Sequence, residues 1–363
     1  MERPTSAAGS GEQLRHGRGN NDRARDRPLK RWLALAATVA LLTFLFLGID
    51  RADLMRNFAS TRMSWFLLAL GLFVPQIGII ALRWKRMVDL FTPITWGESV
   101  GLILAGNTMN LVLPSKLGDL SKGWFLHRMG ALDLKRAMNV VVFEKMLDVA
   151  ALALFMLAGV VLLLMQPTSA AVSPAALLLA GLLGLAAVGG VAVLYFVPLD
   201  ALPGMKCGLA WLGTKPRATR VYRMLVASHE VMALLQSRGA RRGRIIALSL
   251  TIWVFHLLQI YCFFRSLDAV VGPGQFSSLV PLAIFIGLIP LTIAGFGTRD
   301  GALQAFFPQY PPEVMLAVAM YVNLRYILPA LAGIPFMLRY MAWSREARAA
   351  REAQIPSTGE PMS

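Results

Sequence analysis

Charge is what this sequence has least of. Only 15% of its 363 residues are Asp, Glu, Lys or Arg, against 56% apolar, and the mean hydropathy is +0.58. A water-soluble domain carries about 25% charged residues, so most of this chain belongs in lipid and an ordinary cytoplasmic enzyme is excluded. Cysteine is scarce too: Cys207 and Cys262 are too few and too far apart for a disulfide framework or a zinc cluster. The four histidines, His16, His127, His229 and His256, show no metal-ligand spacing, and no glycine loop ends in a phosphate-holding Gly-Lys-Ser/Thr. We therefore expect no metal, no cofactor and no ATP hydrolysis by this chain.

Acidic residues are outnumbered, 20 against 36 Lys and Arg, and the +16 excess must be placed before it is interpreted. Residues 1–31 hold eight basic groups among many glycines and few large apolar side chains, a composition that predicts a disordered tail. It is not a signal peptide, because no small-residue cleavage site follows the apolar stretch 32–49 and Asp50-Arg51 opens a polar turn. Spanning a bilayer takes about 20 apolar residues. Six stretches qualify as full transmembrane helices: 32–49, 64–82, 137–165, 174–197, 245–264 and 314–338.

Two further apolar regions, 99–129 and 278–307, are interrupted. Ser99 to Leu113 makes a helix of roughly 22 Å, short of the roughly 30 Å hydrocarbon core, and Pro114 and Gly118 then break it before Leu120 to Leu126 leads back. Ser278 to Leu291 is also short, with Pro290, Gly295 and Gly297 at the break and Ala302 to Phe307 returning. Both read as re-entrant helical hairpins. With the N-terminus inside, the segments 1–31, 83–98, 128–136, 198–244 and 339–351 hold 27 basic residues, and the outer segments 50–62, 166–173, 265–277 and 308–313 hold four. Turning 99–113 into a full crossing would put the nine-charge loop 198–244 outside, against the positive-inside rule. The fold class is therefore an all-helical polytopic membrane protein with six full transmembrane helices and two oppositely oriented re-entrant hairpins. The charge excess is orientation charge plus a basic tail, so nucleic acid is set aside as a partner.

Oppositely oriented broken helices point to a transport site near the bilayer centre, although interrupted segments also occur in membrane scaffolds. Val221, Leu225, Met232 and Leu235 follow helical spacing among basic residues, which suggests an amphipathic helix on the cytoplasmic face or, equally, a solvated linker helix. The small residues Ala180, Gly181, Gly184, Ala187, Gly189 and Gly190 suit close helix packing and carry no chemistry.

Removing the loop charges leaves Lys116, Lys122, Lys145, Arg299 and Arg325 at membrane depth, facing Asp119, Glu144, Asp148 and Asp300. An ion at the bilayer centre costs roughly 2.5–3.5 kcal/mol even on insertion scales, so these groups must pair or meet water, and we expect them to converge. Glu144 and Asp148 share a helix face and need cations from elsewhere, while Lys145 can pair with Asp148 in its own helix. The hairpin tips would supply the missing cations as Lys116 and Arg299, leaving a slightly positive groove suited to a phosphate-bearing head group. The plain alternative for Glu144, Lys145 and Asp148 is that they snorkel to the interface. Asn107 and Asn110 would bond the broken backbone or a ligand. Arg325 would pair with an acid for structure, and His127 and His256 read as packed or interfacial.

The block "NLVLPSKLGDLSKGWFLHRMGALDLKRAMNVVVFEKMLDVAALALF" resembles the lysylphosphatidylglycerol synthase transmembrane-region family of flippase-like membrane proteins, at Asn110, Pro114, Lys116, Gly118, Asp119, Glu144, Lys145 and Asp148. "IPLTIAGFGTRDGALQAFF" is similar to the family's Pro…Gly-x-Gly-x-Arg-Glu segment at Pro290, Gly295, Gly297 and Arg299, with Asp300 where Glu is usual. "NLRYILPALAGIPF" resembles its last helix, Arg325 included. The resemblance implies translocation of a lipid or lipid-linked glycan. The soluble aminoacyl-transferase domain of two-part relatives is not expected in the 25 residues after Leu338, so lysyl-lipid synthesis by this chain is not expected either.

The sequence thus gives three regions: a basic cytoplasmic tail, 1–31; a flippase-like transmembrane domain, 32–340; and a polar cytoplasmic tail, 341–363. The head group would be received by Lys116, Asp119, Lys122, Arg299, Asp300, Asn107 and Asn110. Glu144, Lys145, Asp148 and Arg325 would gate or couple to protons. The expected location is a bacterial inner membrane with both termini cytoplasmic. The expected partner is a membrane phospholipid or glycolipid, with lipid-synthesis enzymes and a second copy of the chain as further ones. A membrane-embedded glycosyl or phosphoryl transferase and a non-transporting scaffold are the rival readings.

Overall fold

Helix ends in this chain are set by short polar signals between long apolar runs. The computed structural model describes residues 35–36, 38–47, 49–113, 118–165, 172–196, 239–289, 292 and 295–353, and no strand occurs among them. The first helices are α1, Thr38–Leu47, and α2, Arg51–Ala59, started by Asp50, whose carboxylate accepts from the Ala52 N–H at 2.7 Å. Then come α3, Met63–Gly71, and α4, Phe73–Val88, joined through helical Leu72 into one 26-residue rod. Helix α5, Trp96–Val112, opens with a capping box in which Thr95 and Glu98 satisfy each other's backbone N–H. After the break comes α6, Asp119–Arg128. Asp133 caps α7, Leu134–Leu164, by accepting from the Arg136 N–H at 3.0 Å. The remainder are α8, Pro174–Phe196; α9, Gly239–Ser266; α10, Pro273–Leu288; α11, Thr298–Phe306; and α12, Pro312–Ala353.

Among the described residues five helices are long and apolar enough to cross a membrane: Met63–Val88, Leu134–Leu164, Pro174–Ala192, Gly243–Ser266 and Pro312–Trp343. They match five of the six predicted spans. Of the sixth, 32–49, the described part is the ten-residue α1. Helix α12 continues to Ala353, past the predicted boundary at 340. The tail 1–31 and the amphipathic stretch 221–235 lie outside the described residues.

The broken regions fold back on themselves. In the first, a Cβ on Gly118 would collide with the backbone of Met109 and Asn110, so only glycine lets α6 turn this tightly against α5. Both outer ends of this hairpin meet Tyr340 near the far end of α12: Tyr340 Oη donates to the Glu98 carbonyl at 3.4 Å, and the Phe125 ring stacks on Tyr340 at 5.2 Å. In the second, Gly295 and Gly297 take φ of +78° and +86°, a left-handed backbone that other residues resist. Its outer ends meet at Phe264, whose ring lies 5.6 Å from Phe276 and 5.2 Å from Phe307. That end lies beside the start of α12, where Tyr310 Oη donates to the Val270 carbonyl at 2.6 Å. The hairpins therefore enter the bundle from opposite ends.

Lipid tails are as apolar as leucine, so close packing rather than the hydrophobic effect joins these helices. Two large apolar clusters result, beside a small one of Leu54, Leu316 and Ala317. One gathers Trp84, Leu102, Phe125, Val140 and Phe143 around the first hairpin, and the other gathers Phe263, Phe264, Leu279, Phe307 and Met315 around the second. Helix α12 runs through both. Asn323 on it meets the second hairpin, and the Ala330 carbonyl accepts from Thr108 Oγ1 of the first at 2.6 Å. Residues 323 and 330 are about 10 Å apart along a helix axis, so the hairpins nearly meet tip to tip along α12.

Candidate functional site

Three cations and three acids form one network between α4, α6 and α7. Glu144 and Asp148 stand one turn apart on α7, as their spacing requires, and Arg83 of α4 binds both: Nη1 lies 2.6 Å from Asp148 Oδ1 and Nη2 3.2 Å from Glu144 Oε1. The guanidinium fork suits this, since each arm meets a different carboxylate. Arg83 Nη1 also donates to Ser249 Oγ of α9 at 3.1 Å. Lys122 of α6 closes on the second oxygen of Glu144 and lies 3.6 Å from Asp119, with its ammonium 4.8 Å from the centre of the Trp84 ring. Lys145 joins Asp119 at 2.8 Å and Asp148 at 3.4 Å. Asn110 clamps Asp119 twice across the hairpin, donating to its carboxylate and accepting from its backbone N–H, both at 3.2 Å.

The network is electrically balanced. Arg83 and Glu144 are 2% exposed in their side chains, whereas Lys145 is 44% exposed. Snorkelling therefore fits Lys145 but not Glu144, which the protein itself encloses. Asn107, one turn before Asn110, lies half-buried. The break residues Pro114 and Lys116 lie outside the described residues.

The second site sits where α11 meets α12. Asp300, 1% exposed, divides its carboxylate: Oδ1 takes the Arg299 guanidinium at 2.8 Å, and Oδ2 takes the Gly297 N–H at 3.0 Å and the Asn323 amide at 3.3 Å. Arg299 also donates to Asn323 Oδ1, and its guanidinium lies 5.0 Å from the centre of the Tyr326 ring. The short aspartate reaches Gly297 and Arg299 because they are its chain neighbours, and Asn323 because α11 meets α12 there. Pro290 lies outside the described residues.

Between the two sites stands a third set. Gln76 on α4 and His256 on α9 lie about 10 Å along those helices from Arg83 and Ser249, in the same antiparallel register. The His256 Nδ1 lies 2.6 Å from Gln76 Nε2 and 2.6 Å from Arg325 Nη2. Arginine can only donate, so Nδ1 is the acceptor. Arg325 is also 5.8 Å from the centre of the Tyr326 ring, whose other neighbour is Arg299.

A model of the lysylphosphatidylglycerol synthase TM region matches residues 31–333. The chain belongs to that family. It is also 23% identical over 319 residues, 84% of this chain and 93% of the relative, to the UPF0104 membrane protein MJ1595 of Methanocaldococcus jannaschii. No solved structure matches it.

Three sequence-based expectations change within this member of the lysylphosphatidylglycerol synthase TM-region family. Among the described residues the cation shared by Glu144 and Asp148 is Arg83, with Lys122 of the first hairpin also on Glu144, and Arg299 does not reach them. Arg83 is missed when α4 is ended at the first charge, yet it sits seven residues after Gln76 on the buried face, while Arg86 is exposed. The buried ions form two centres rather than one, because Arg299 finds its acid next door in Asp300. Arg325 has no acid partner among the described residues, contrary to the pairing expected for it. His127 packs as expected, its Nδ1 3.0 Å from the Leu132 carbonyl.

Proposed function

We propose that this chain moves a phospholipid or lipid-linked glycan between membrane leaflets, as a transporter rather than an enzyme and without hydrolysing ATP. The observation that carries this reading is the pair of helical hairpins entering the bundle from opposite ends, with buried polar groups at their tips and at two levels of the α4–α9 pair between them. Non-helical backbone and buried ions at such depth are tolerated where they line a polar cavity. A head group would occupy that cavity while its acyl chains stay in the bilayer. Family membership supports a lipid-related membrane role of this kind.

Of the contacts expected at the tips, Arg299 is already held by Asp300 and Asn323, so the second hairpin contributes a fixed wall rather than a free cation. Lys116 remains the contact proposed for the first tip. Asp119, Glu144, Lys145 and Asp148 form the block that would gate the path. We further propose a bacterial inner membrane with both termini cytoplasmic, on the strength of the 27 basic residues against four.

The test is reconstitution of the full chain in liposomes with a fluorescent phospholipid and an outside-only chemical quencher. Quenching beyond the outer-leaflet share, absent from protein-free liposomes, supports translocation. Quenching equal to protein-free liposomes overturns it. Mass analysis of the recovered lipid separates movement from a transferase, which would change the head group.

A further inference from the structure

Arg83, Lys122, Lys145 and Arg299 each have a carboxylate within 4.0 Å. Arg325 does not, among the described residues. Its Nη2 is spent on His256, and Nε and Nη1, both enclosed, have no hydrogen-bond partner. Its nearest charged neighbour across the Tyr326 ring is another cation, Arg299. A buried donor without an acceptor is costly, and a buried charge without a counter-charge more so. A structural arginine would have been matched by an acid, as Arg83 and Arg299 are. A ligand carrying one negative charge and several acceptor oxygens would supply that partner.

We propose that Arg325, with Gln76 and His256 beside it, binds a phosphate oxyanion of the kind an acidic phospholipid carries. This rests on the reading of the chain as a lipid mover and adds the charge of the head group and the residue that meets it. Gln76 is buried, but Arg325 and His256 are only half-buried. On the Arg325 face of α12, Leu328 is half-buried and Ala332 exposed, so the site opens along that face. The nearby carboxylate, Asp300, is fully engaged by Arg299, Gly297 and Asn323. It offers no seat for an ammonium group, so a net-anionic head group is preferred to a zwitterionic one. Arginine binds such an oxyanion through charge-assisted hydrogen bonds, worth roughly tenfold to a hundredfold in affinity.

The test uses the purified full chain in mild detergent, followed by thermal unfolding while short-chain phosphatidylglycerol, short-chain phosphatidylcholine or inorganic phosphate is titrated. Phosphatidylglycerol should raise Tm at concentrations at least tenfold below phosphatidylcholine. Arg325→Gln should weaken that response tenfold or more, Arg325→Lys should keep part of it, and the exposed Arg86→Gln should keep all of it. Without ligand, Arg325→Gln should unfold no earlier than wild type, because no ion pair is broken. Equal stabilisation by inorganic phosphate would assign the site to the free anion. Three results overturn the proposal: an unchanged phosphatidylglycerol response in Arg325→Gln, no response in wild type, or a ligand-free Arg325→Gln that unfolds several degrees early. The liposome experiment is scored separately. Lipid movement that persists equally in Arg325→Gln retains the transport reading and removes this site. Arg325-dependent phosphatidylglycerol binding without movement does the reverse.

Discussion

Arg83 and Asp148 lie 2.6 Å apart across the α4–α7 contact, and that single arm of the guanidinium ties a helix ending near one membrane face to the long α7 rod. The other arm holds Glu144, so one side chain bridges two buried acids that share a face. Replacing Arg83 with Leu leaves three acids against two cations, Lys122 and Lys145, and should destabilise the protein by about 3–5 kcal/mol, the usual result of breaking a buried pair from one side. Thermal unfolding in detergent measures it. Removing Glu144 as well restores a two-against-two balance, so Arg83→Leu with Glu144→Leu should unfold later than Arg83→Leu alone. A double variant at or below the single one would mean the pair is not the source of the stability.

The first hairpin depends on Gly118 and Asn110. Asn110→Ala removes two hydrogen bonds to Asp119 and should cost about 1–3 kcal/mol, because Asp119 keeps its charge but loses its clamp. Gly118→Ala drives a methyl group into the Asn110 backbone and should do at least as much harm. Limited proteolysis in detergent, cutting between α5 and α6 faster in both variants than in wild type, is the readout. An unchanged cleavage rate refutes the tight turn.

The second hairpin depends on a left-handed glycine. Gly297→Ala forces an L residue to φ near +86°, a cost of about 1–2 kcal/mol, and also presses on Leu41. Gly189→Ala in α8 provides the contrast: open space surrounds that position, so alanine should be neutral or slightly stabilising through its better helix propensity. Equal Tm shifts for the two variants would contradict this account.

Accessibility of introduced cysteines tests topology. In a chain with Cys207 and Cys262 replaced by Ala, cysteines at Thr95 and Met129 should react from one side of the membrane, and cysteines at Gly272 and Gln309 from the other. An impermeant maleimide applied to oriented vesicles gives the answer. Thr95 and Met129 reacting from opposite sides would make the α5–α6 region a full crossing.

Much of this architecture is written in the sequence because hydrophobic length and glycine or proline breaks are local signals. The two hairpins are legible from short apolar runs, 99–113 and 278–291, followed by breaks that contain Gly118 and Gly297. The Lys145–Asp148 pair follows from spacing on one helix. What is not legible is which helix faces which. Arg83 looks like an interfacial loop charge until α4 is seen to continue to Val88 with that residue on its buried side. Asp300 looks free to serve a distant cation until Gly297, Arg299 and Asn323 are seen to consume it. Partnership between residues as far apart as Gln76, His256 and Arg325 depends on helix register across the bundle, and no local pattern encodes it.

The three-against-three composition of the α4–α6–α7 network has an electrical meaning. A block with no net charge can shift along the membrane normal without doing work against the transmembrane voltage, so rocking of those helices is silent to the field. One lone guanidinium is not: its displacement through the full field is worth roughly 2.3 kcal/mol per 100 mV. Among the described buried charges, Arg325 is thus the point through which membrane potential can push on this protein, and an anion seated there would switch that push off.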